Sequence, residues 1–200
     1  PNGRWQPGDK VCALLGGGGY AERVAVPAGM ALPVPEGLSM AEAAAIPEAF
    51  ATSYVNICME GGMTAGDMVL IQAGASGLGM AAIQLVKTLG GKVMATVSTE
   101  EKADFVRSLG ADVVVNRTVE DLATVMEEHP VDIAMDCISG PAMGQCIEKM
   151  AIGGRWIVIS TLAGPTTEIN VNLFFRRGIK LIGSTLRSRA PEVKAEILAG

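Results

Sequence analysis

The stretch Val69-Leu-Ile-Gln-Ala-Gly-Ala-Ser-Gly-Leu-Gly79, followed directly by Met80-Ala-Ala-Ile-Gln-Leu-Val-Lys87, decides the fold of this chain. Apolar residues lead into three closely spaced glycines, and a helical pattern follows without a gap. Strand, glycine turn and helix in this order bind a nucleotide diphosphate, because the helix start offers unpaired N–H groups and a positive dipole end. The spacing is G-x-x-G-x-G rather than G-x-G-x-x-G, so the prediction depends on this context, and an ordinary glycine-containing turn is the alternative.

Each glycine of this turn has a predicted task. Gly74 is expected to allow a tight turn, Gly77 to let the backbone come close to the phosphates, and Gly79 to let the helix pack against the strand. The helix should begin between Ser76 and Leu78, where its free amides would face the anion.

The composition is that of a packed globular chain. Of its 200 residues, 49% are hydrophobic and 18% are charged, which excludes intrinsic disorder. The net charge of −5 provides no basic surface for nucleic acid. No apolar run reaches the roughly 18 residues of a membrane span, and a cytoplasmic location is the expected default.

The cysteines give no sign of a metal site. Cys12, Cys58, Cys137 and Cys146 show no C-x-x-C spacing, and His129 is the only histidine. Scattered cysteines in apolar stretches are typical of buried thiols in a reducing compartment. A structural zinc site needs clustered ligands, so no metal is expected.

Most of the chain alternates between strand and helix patterns, which predicts a doubly wound parallel sheet of the Rossmann type. Helices are predicted at about 77–89, 100–109, 118–128 and 141–150. The predicted strands are Met68–Ala73, Lys92–Val97, Asp112–Val115, Asp132–Asp136, Arg155–Ser160 and Lys180–Ile182.

The N-terminal part has a different pattern. Lys10–Leu15 and Tyr20–Val26 are predicted to be two strands joined across four glycines. Ser39, with Glu42 three residues later, predicts a capping box at the start of an alanine-rich helix. Pro47 should mark the junction of two helices.

The ends of the second and third strands predict which coenzyme binds. Ser98, Thr99 and Lys102 follow the second strand and Arg117 follows the third, so hydroxyls and positive charge would meet a 2′-phosphate. Glu100 and Glu101 could instead favour NADH, but acids in a first helical turn also complement the helix dipole. NADPH is therefore the predicted coenzyme.

The later strand ends should face the nicotinamide half of the coenzyme. They are Asp136-Cys-Ile-Ser-Gly140 and Ser160-Thr-Leu-Ala-Gly164, and ordinary βα turns are the alternative for both. Cys137 has no histidine or other base near it in sequence, which favours a structural thiol over a nucleophile.

Together these motifs resemble the zinc-free quinone oxidoreductases of the medium-chain dehydrogenase/reductase superfamily, the zeta-crystallin group. The resemblance extends over essentially the whole chain. Besides the glycine turn it includes Pro7-Gly-Asp-Lys-Val11, Val34-Pro-Glu-Gly-Leu-Ser39, Ala43-Ala-Ala-Ile-Pro-Glu-Ala49, Leu109-Gly-Ala111, Asp136-Cys-Ile-Ser-Gly140, Gly154-Arg-Trp156 and Leu186-Arg-Ser-Arg189.

The resemblance implies two domains and a set of coenzyme contacts. Residues 1–45 would be part of a GroES-like, β-rich catalytic domain, and residues 46–200 a C-terminally incomplete Rossmann dinucleotide-binding domain. The opening on Pro1 and the helical pattern at Pro191–Leu198 fit a fragment of a longer chain. The implied contacts are Thr52, Ala73, Gly74, Ser76, Gly77, Leu78, Gly79, Ser98, Thr99, Lys102, Arg117, Asp136, Cys137, Ile138, Leu186, Arg187 and Ser188.

Two positions depart from the relatives. Many relatives have Tyr where this chain has Arg117, so the adenosine-end contact would be electrostatic. Zinc-dependent cousins have a cysteine ligand where this chain has Glu48, which again argues against zinc. No catalytic residue is assigned, although Ser53 and Tyr54 flank the helix after Pro47.

The expected function is NADPH-dependent, zinc-free reduction of quinones or similar electron-poor conjugated carbonyls. One alternative is an NADPH-dependent enoyl or alkenal double-bond reductase, and another is a coenzyme-binding protein without turnover. The resemblance also implies a homodimer or homotetramer.

Overall fold

The computed structural model describes residues 3–199 and divides the chain into two compact units. The first contains the described residues up to Thr52 and those from Thr185 onward, and the second is Ser53–Ser184. The boundary therefore falls a few residues after the one expected at 45/46. The assignment of the first unit to a GroES-like domain stays a prediction.

The N-terminal part of the first unit holds a small antiparallel sheet. Strand β1, Val11–Ala13, pairs with β2, Ala31–Pro33, and a short 3₁₀-helix at Ala28–Met30 precedes β2. The predicted strand at Tyr20–Val26 is wrong, since this segment forms no strand. Its residues are largely exposed, and Tyr20 is fully so, which leaves the alternating pattern without a core to face.

The helical prediction after this sheet is confirmed. Helix α1, Met40–Ala44, begins with the full capping box between Ser39 and Glu42. Helix α2, Ile46–Tyr54, starts one residue before Pro47, where proline is tolerated because the first amides of a helix lack intrahelical partners. A π-helical turn at Val55–Glu60, which the sequence did not predict, follows α2.

The second unit is a doubly wound α/β sheet, as predicted. All six strands are parallel and lie in the order β5-β4-β3-β6-β7-β8. The strands are β3 Met68–Ile71, β4 Lys92–Val97, β5 Val113–Asn116, β6 Ile133–Asp136, β7 Arg155–Val158 and β8 Lys180–Gly183. The helices are α3 Gly77–Thr88, α4 Glu100–Ser108, α5 Leu122–Glu128, α6 Pro141–Ile147 and α7 Val171–Arg176. The first unit is completed by α8, Pro191–Ala199, where a helix was expected.

Alternate strand residues bury themselves on opposite faces of the sheet. In β3, Val69 and Ile71 pack in one core with α3 and α4, whereas Leu70 packs in the other with α5 and α6. All three are fully buried, and such burial contributes about 1.5–3 kcal/mol per side chain. Because helices cover both faces of the sheet, the strand sequences are continuous apolar runs.

The strand order fixes where a ligand can bind. From β3 the chain moves outward through β4 and β5, then returns to place β6 on the other side of β3. The connections therefore diverge between the carboxyl ends of β3 and β6, and a doubly wound sheet binds its ligand in the crevice at such a point.

Candidate nucleotide-binding site

The turn after β3 has its left-handed residue at Ala73, with φ of 55°, not at Gly74. A non-glycine residue in this region costs about 1 kcal/mol or more. Gly74 is needed for a different reason, because a Cβ there would lie 2.9 Å from the Cβ of Ala95 in β4. Gly74 therefore serves the tight turn by its close packing against β4 and not by a positive φ.

Helix α3 begins at Gly77, inside the predicted window, and Ser76 is its N-cap. The Ser76 hydroxyl accepts a hydrogen bond from the Gly79 amide at 3.1 Å. A Cβ on Gly79 would lie 2.5 Å from the carbonyl oxygens of Ala73 and Gly74, so the helix start packs on the turn itself. Only glycine fits there.

Gly77 differs from its neighbours because its backbone faces open space. A Cβ built there would meet nothing within 4 Å. Within residues 3–199, the amides of Gly77 and Leu78 have no protein acceptor. Two N–H groups at a helix N-terminus next to open space suit an anion such as a diphosphate.

A cavity of about 230 Å³ extends from this turn along the ends of β4 and β5. It brings together predicted contacts from several strand ends of the second unit. Its lining residues are Ala73, Ala75, Ser76, Thr96, Val97, Ser98, Lys102, Arg117 and Ile138.

Two cations and a hydroxyl that follow β4 and β5 line the cavity. The Lys102 ammonium lies 3.5 Å from the Ser98 hydroxyl, and the exposed Arg117 follows β5. Thr99 is the N-cap of α4, and its hydroxyl accepts from the Lys102 amide at 3.3 Å. Thr99 does not line the cavity, so its observed task is to start α4 and thereby position Lys102.

Glu100, the acid that could have favoured NADH, is held by a neighbouring strand end. Its carboxylate accepts a hydrogen bond from the Asn116 side-chain amide at 2.7 Å. Glu100 and Glu101 both lie in the first turn of α4, where negative charge complements the helix dipole. Neither carboxylate lines the cavity.

The turn after β6 is built around the fully buried carboxylate of Asp136. One oxygen accepts from the amides of Ile138 and Ser139 at 2.7 and 2.9 Å. The other accepts from the Trp156 indole N–H at 2.9 Å. The Asp136 side chain is therefore turned away from the cavity, and it acts by shaping the backbone that presents Ile138.

Cys137 in the same turn is a protonated thiol at neutral pH. Burial first, and then the neighbouring Asp136 charge, raises the pKa of Cys137 above its ordinary value. The thiol donates to the Gln72 carbonyl at 3.8 Å and thereby joins the ends of β3 and β6. This geometry supports the interpretation as a structural thiol.

Four predicted contacts lie outside the second unit. Thr52, Leu186, Arg187 and Ser188 belong to the first unit, and their approach to a coenzyme stays a prediction. Leu186 and Arg187 line a cavity of about 110 Å³ within that unit.

Sequence reasoning missed Thr96, which is almost fully buried beneath the turn. The signal was present, because Thr96 is a polar residue inside the otherwise apolar end of β4. Gln72, which follows the adjacent strand β3, is likewise a buried polar residue.

Two further observations concern the described residues as a whole. Between residues 3 and 199, no three His, Cys, Asp or Glu side chains cluster in a way that could hold a metal ion. No helix in that range is long and apolar enough to cross a membrane.

Comparison with known proteins decides the family. Residues 77–199 match the sequence model of a family described as zinc-binding dehydrogenase. The chain belongs to the medium-chain dehydrogenase/reductase superfamily, in its quinone oxidoreductase family. The family resemblance inferred from the motifs is confirmed.

Two curated relatives illustrate how this quinone oxidoreductase family member compares with longer proteins. Prostaglandin reductase-3 of Bos taurus is 35% identical over 82% of this chain and 44% of its own length. A probable quinone oxidoreductase of Leishmania amazonensis is 33% identical over 78% of this chain and 46% of its own length.

Among solved structures, the quinone oxidoreductase of Thermus thermophilus, also determined in complex with NADPH, superposes with a TM-score of 0.81. It is 33% identical, and the match covers 98% of this chain and 64% of that chain. The chain spans about half the length of the two curated relatives named above.

Proposed function

We propose that this chain carries the coenzyme-binding part of an NADPH-dependent oxidoreductase that reduces quinones or similar electron-poor conjugated carbonyls without zinc. The observation that carries the proposal is a single cavity lined by Ser76, the N-cap of α3, together with Lys102, Ser98 and Arg117. The structural relative in complex with NADPH supports the choice of coenzyme.

The residues present fit a dinucleotide phosphate. The open backbone at Gly77 leaves room for a diphosphate, and the Gly77 and Leu78 amides would donate to it. Lys102, Ser98 and Arg117 would bind the 2′-phosphate, since charge-assisted hydrogen bonds favour an anion over the neutral ribose hydroxyl of NADH. When bound, the reduced nicotinamide supplies the reducing equivalents.

The protein's own contribution would be orientation and exclusion of water. Asp136 and Cys137 fix the turn that presents Ile138 to the cavity. Without a metal to polarise a carbonyl, the favoured acceptors would be those already electron-poor, such as quinones. A cytoplasmic homodimer or homotetramer remains part of the proposal.

A double-bond reductase is the second candidate. The observation that favours it is the 35% identity to a protein named prostaglandin reductase-3. The same coenzyme cavity would serve either reaction, because the acceptor and not the coenzyme differs. A coenzyme-binding protein without turnover is the third candidate.

Two measurements on the full chain separate these candidates. Fluorescence titration with NADPH and NADH should show binding, with NADPH preferred. Turnover of NADPH with ortho-quinones and with medium-chain enals should then be faster for the quinones. Faster enal turnover would replace the first candidate with the second, and binding with neither turnover would favour the third.

A further inference from the structure

We propose that Thr96 is a positioning residue for the coenzyme, because its hydroxyl holds Ala73, in the turn after β3, in its left-handed conformation. This inference rests on the proposed function and deepens it by assigning the shape of the binding turn to one buried side chain. Thr96 is 1% exposed and lines the cavity next to Ala73.

Thr96 holds two successive amides of the turn. The Ala73 amide donates to the Thr96 hydroxyl oxygen at 3.0 Å, and the Gly74 amide donates to the Thr96 carbonyl at 2.9 Å. Ala73 is a non-glycine residue with φ of 55°, a conformation that persists only where the surroundings enforce it. The two hydrogen bonds from one strand residue supply that enforcement.

The hydroxyl is itself held by a second buried side chain. Thr96 donates to the Gln72 side-chain oxygen at 3.2 Å, which directs the oxygen lone pairs toward Ala73. The backbone amide of Gln72 donates to the Met135 carbonyl at 3.3 Å, and the backbone carbonyl of Gln72 accepts from the Cys137 thiol. A continuous set of hydrogen bonds therefore joins β4, β3 and β6 across the crevice.

The hydroxyl is the reason for threonine at this position. Valine would fill nearly the same volume and would match the apolar residues of β4. A buried hydroxyl is unfavourable unless it is hydrogen-bonded, and the Thr96 hydroxyl is used both as donor and as acceptor. Its effect is to set the turn before the coenzyme arrives, so that binding need not order it.

This role predicts a loss of affinity that is the same for both nicotinamide coenzymes. The β3 turn would face the diphosphate, which NADPH and NADH share, whereas Lys102 would face the 2′-phosphate that only NADPH carries. Loss of the Thr96 hydroxyl should therefore weaken both coenzymes by one common factor.

The test compares Thr96→Val and Thr96→Ser with the wild-type full chain. Dissociation constants for NADPH and NADH are measured by fluorescence titration, at a temperature where all variants are folded. For Thr96→Val both constants should rise together, by about five- to tenfold, the size expected for one hydrogen bond. Thr96→Ser retains the hydroxyl and should stay within about twofold of wild type.

Val93→Ala is the matched control for general loss of stability. Val93 is fully buried in the same strand and has no side-chain polar atom to bond the turn. The melting temperature of Val93→Ala should fall, while its dissociation constants for NADPH and NADH should stay at the wild-type values. An unchanged affinity in Thr96→Val, or an equal loss in Val93→Ala, would overturn the inference.

The outcomes for wild type keep the two proposals apart. A wild-type chain that binds neither coenzyme contradicts the proposed function itself. If wild type and Thr96→Val bind both coenzymes equally tightly, only the role of Thr96 is contradicted.

A second measurement applies if Thr96→Val does not fold. Amide hydrogen exchange of the wild-type chain, followed by NMR without coenzyme, should show the Ala73 and Gly74 amides similarly protected, because both are already bonded to Thr96. Rapid exchange at Ala73 that slows only when NADPH is added would show that the coenzyme sets the turn, and the inference would fail.

Discussion

Two turns flank the same crevice, and they use their backbone amides in opposite ways. After β3, the amides of Gly77 and Leu78 at the start of α3 have no acceptor within residues 3–199. After β6, the amides of Ile138 and Ser139 both donate to the carboxylate of Asp136. One turn remains open to an anion, and the other carries a fixed anion of its own.

The helices that follow the two turns differ in the same sense. Helix α3 has 12 residues and starts with an open glycine, whereas α6 has seven and starts with Pro141. Proline has no N–H to offer a ligand. Helix α3 thus begins with two amides that have no acceptor among the described residues, whereas α6 begins with a residue that has no N–H at all.

The largest expected effect comes from removing the internal anion of the β6 turn. Asp136→Ala should lower the free energy of unfolding by about 3 kcal/mol or more, because the amides of Ile138 and Ser139 and the buried Trp156 indole N–H lose their acceptor. Urea denaturation measures the change. Asp104→Ala, at an exposed ion pair, should cost less than about 1 kcal/mol, and an equal cost for both variants would contradict the account.

The glycines of the β3 turn should separate stability from binding. Gly79→Ala should cost about 1–3 kcal/mol of stability, since its Cβ would collide with two backbone carbonyls. Gly77→Ala has open space and should leave stability unchanged or slightly higher, yet weaken NADPH binding by intruding on the diphosphate. Thermal unfolding and coenzyme titration test both, and the reverse ranking of stabilities would be incompatible with the open helix start.

Removing a cation that lines the cavity should weaken the binding of NADPH only. Lys102→Ala should raise the dissociation constant of NADPH about tenfold, the loss of one charge-assisted hydrogen bond, and leave that of NADH unchanged. Lys87→Ala is the control, because Lys87 pairs with Asp112 and does not line the cavity. Equal losses for NADPH and NADH at Lys102 would count against a 2′-phosphate site.

The smallest expected effect is a pH dependence of the free energy of unfolding that originates at Cys137, in the turn after β6. Burial raises the pKa of the Cys137 thiol in the folded chain. The stability linked to this raised pKa is fully present below the pKa of an unfolded thiol, about 8.5. It is lost progressively as the pH rises from there through the raised pKa of the folded chain.

Cys137→Ala should remove part of this pH dependence. Its free energy of unfolding should therefore fall less than that of wild type between about pH 8 and pH 10, as measured by urea denaturation at each pH. Identical slopes for the two proteins would indicate that the thiol is not held in the neutral form.

The sequence predicted features that depend on short-range patterns. The six parallel strands, helices α3 to α6 and the capping box at Ser39 follow from local periodicity and local hydrogen bonding. The false strand at Tyr20–Val26 has the right alternation but no buried face, which a local pattern cannot reveal.

The interactions that shape the site depend on contacts distant in sequence. Asp136 meets Trp156 twenty residues away, and Ala73 meets Thr96 at a separation of 23. Neither partner could be chosen from the sequence, because each choice requires the strand order and register. The turn residues themselves were predicted, but Thr96, which holds Ala73, and the contact between Asp136 and Trp156 were not.

A crystal structure of the chain with NADPH tests the central claim most directly. We expect the diphosphate within hydrogen-bond distance of the Gly77 and Leu78 amides, with the 2′-phosphate beside Lys102. A coenzyme bound elsewhere, or a crevice that stays empty at saturating NADPH, would contradict it.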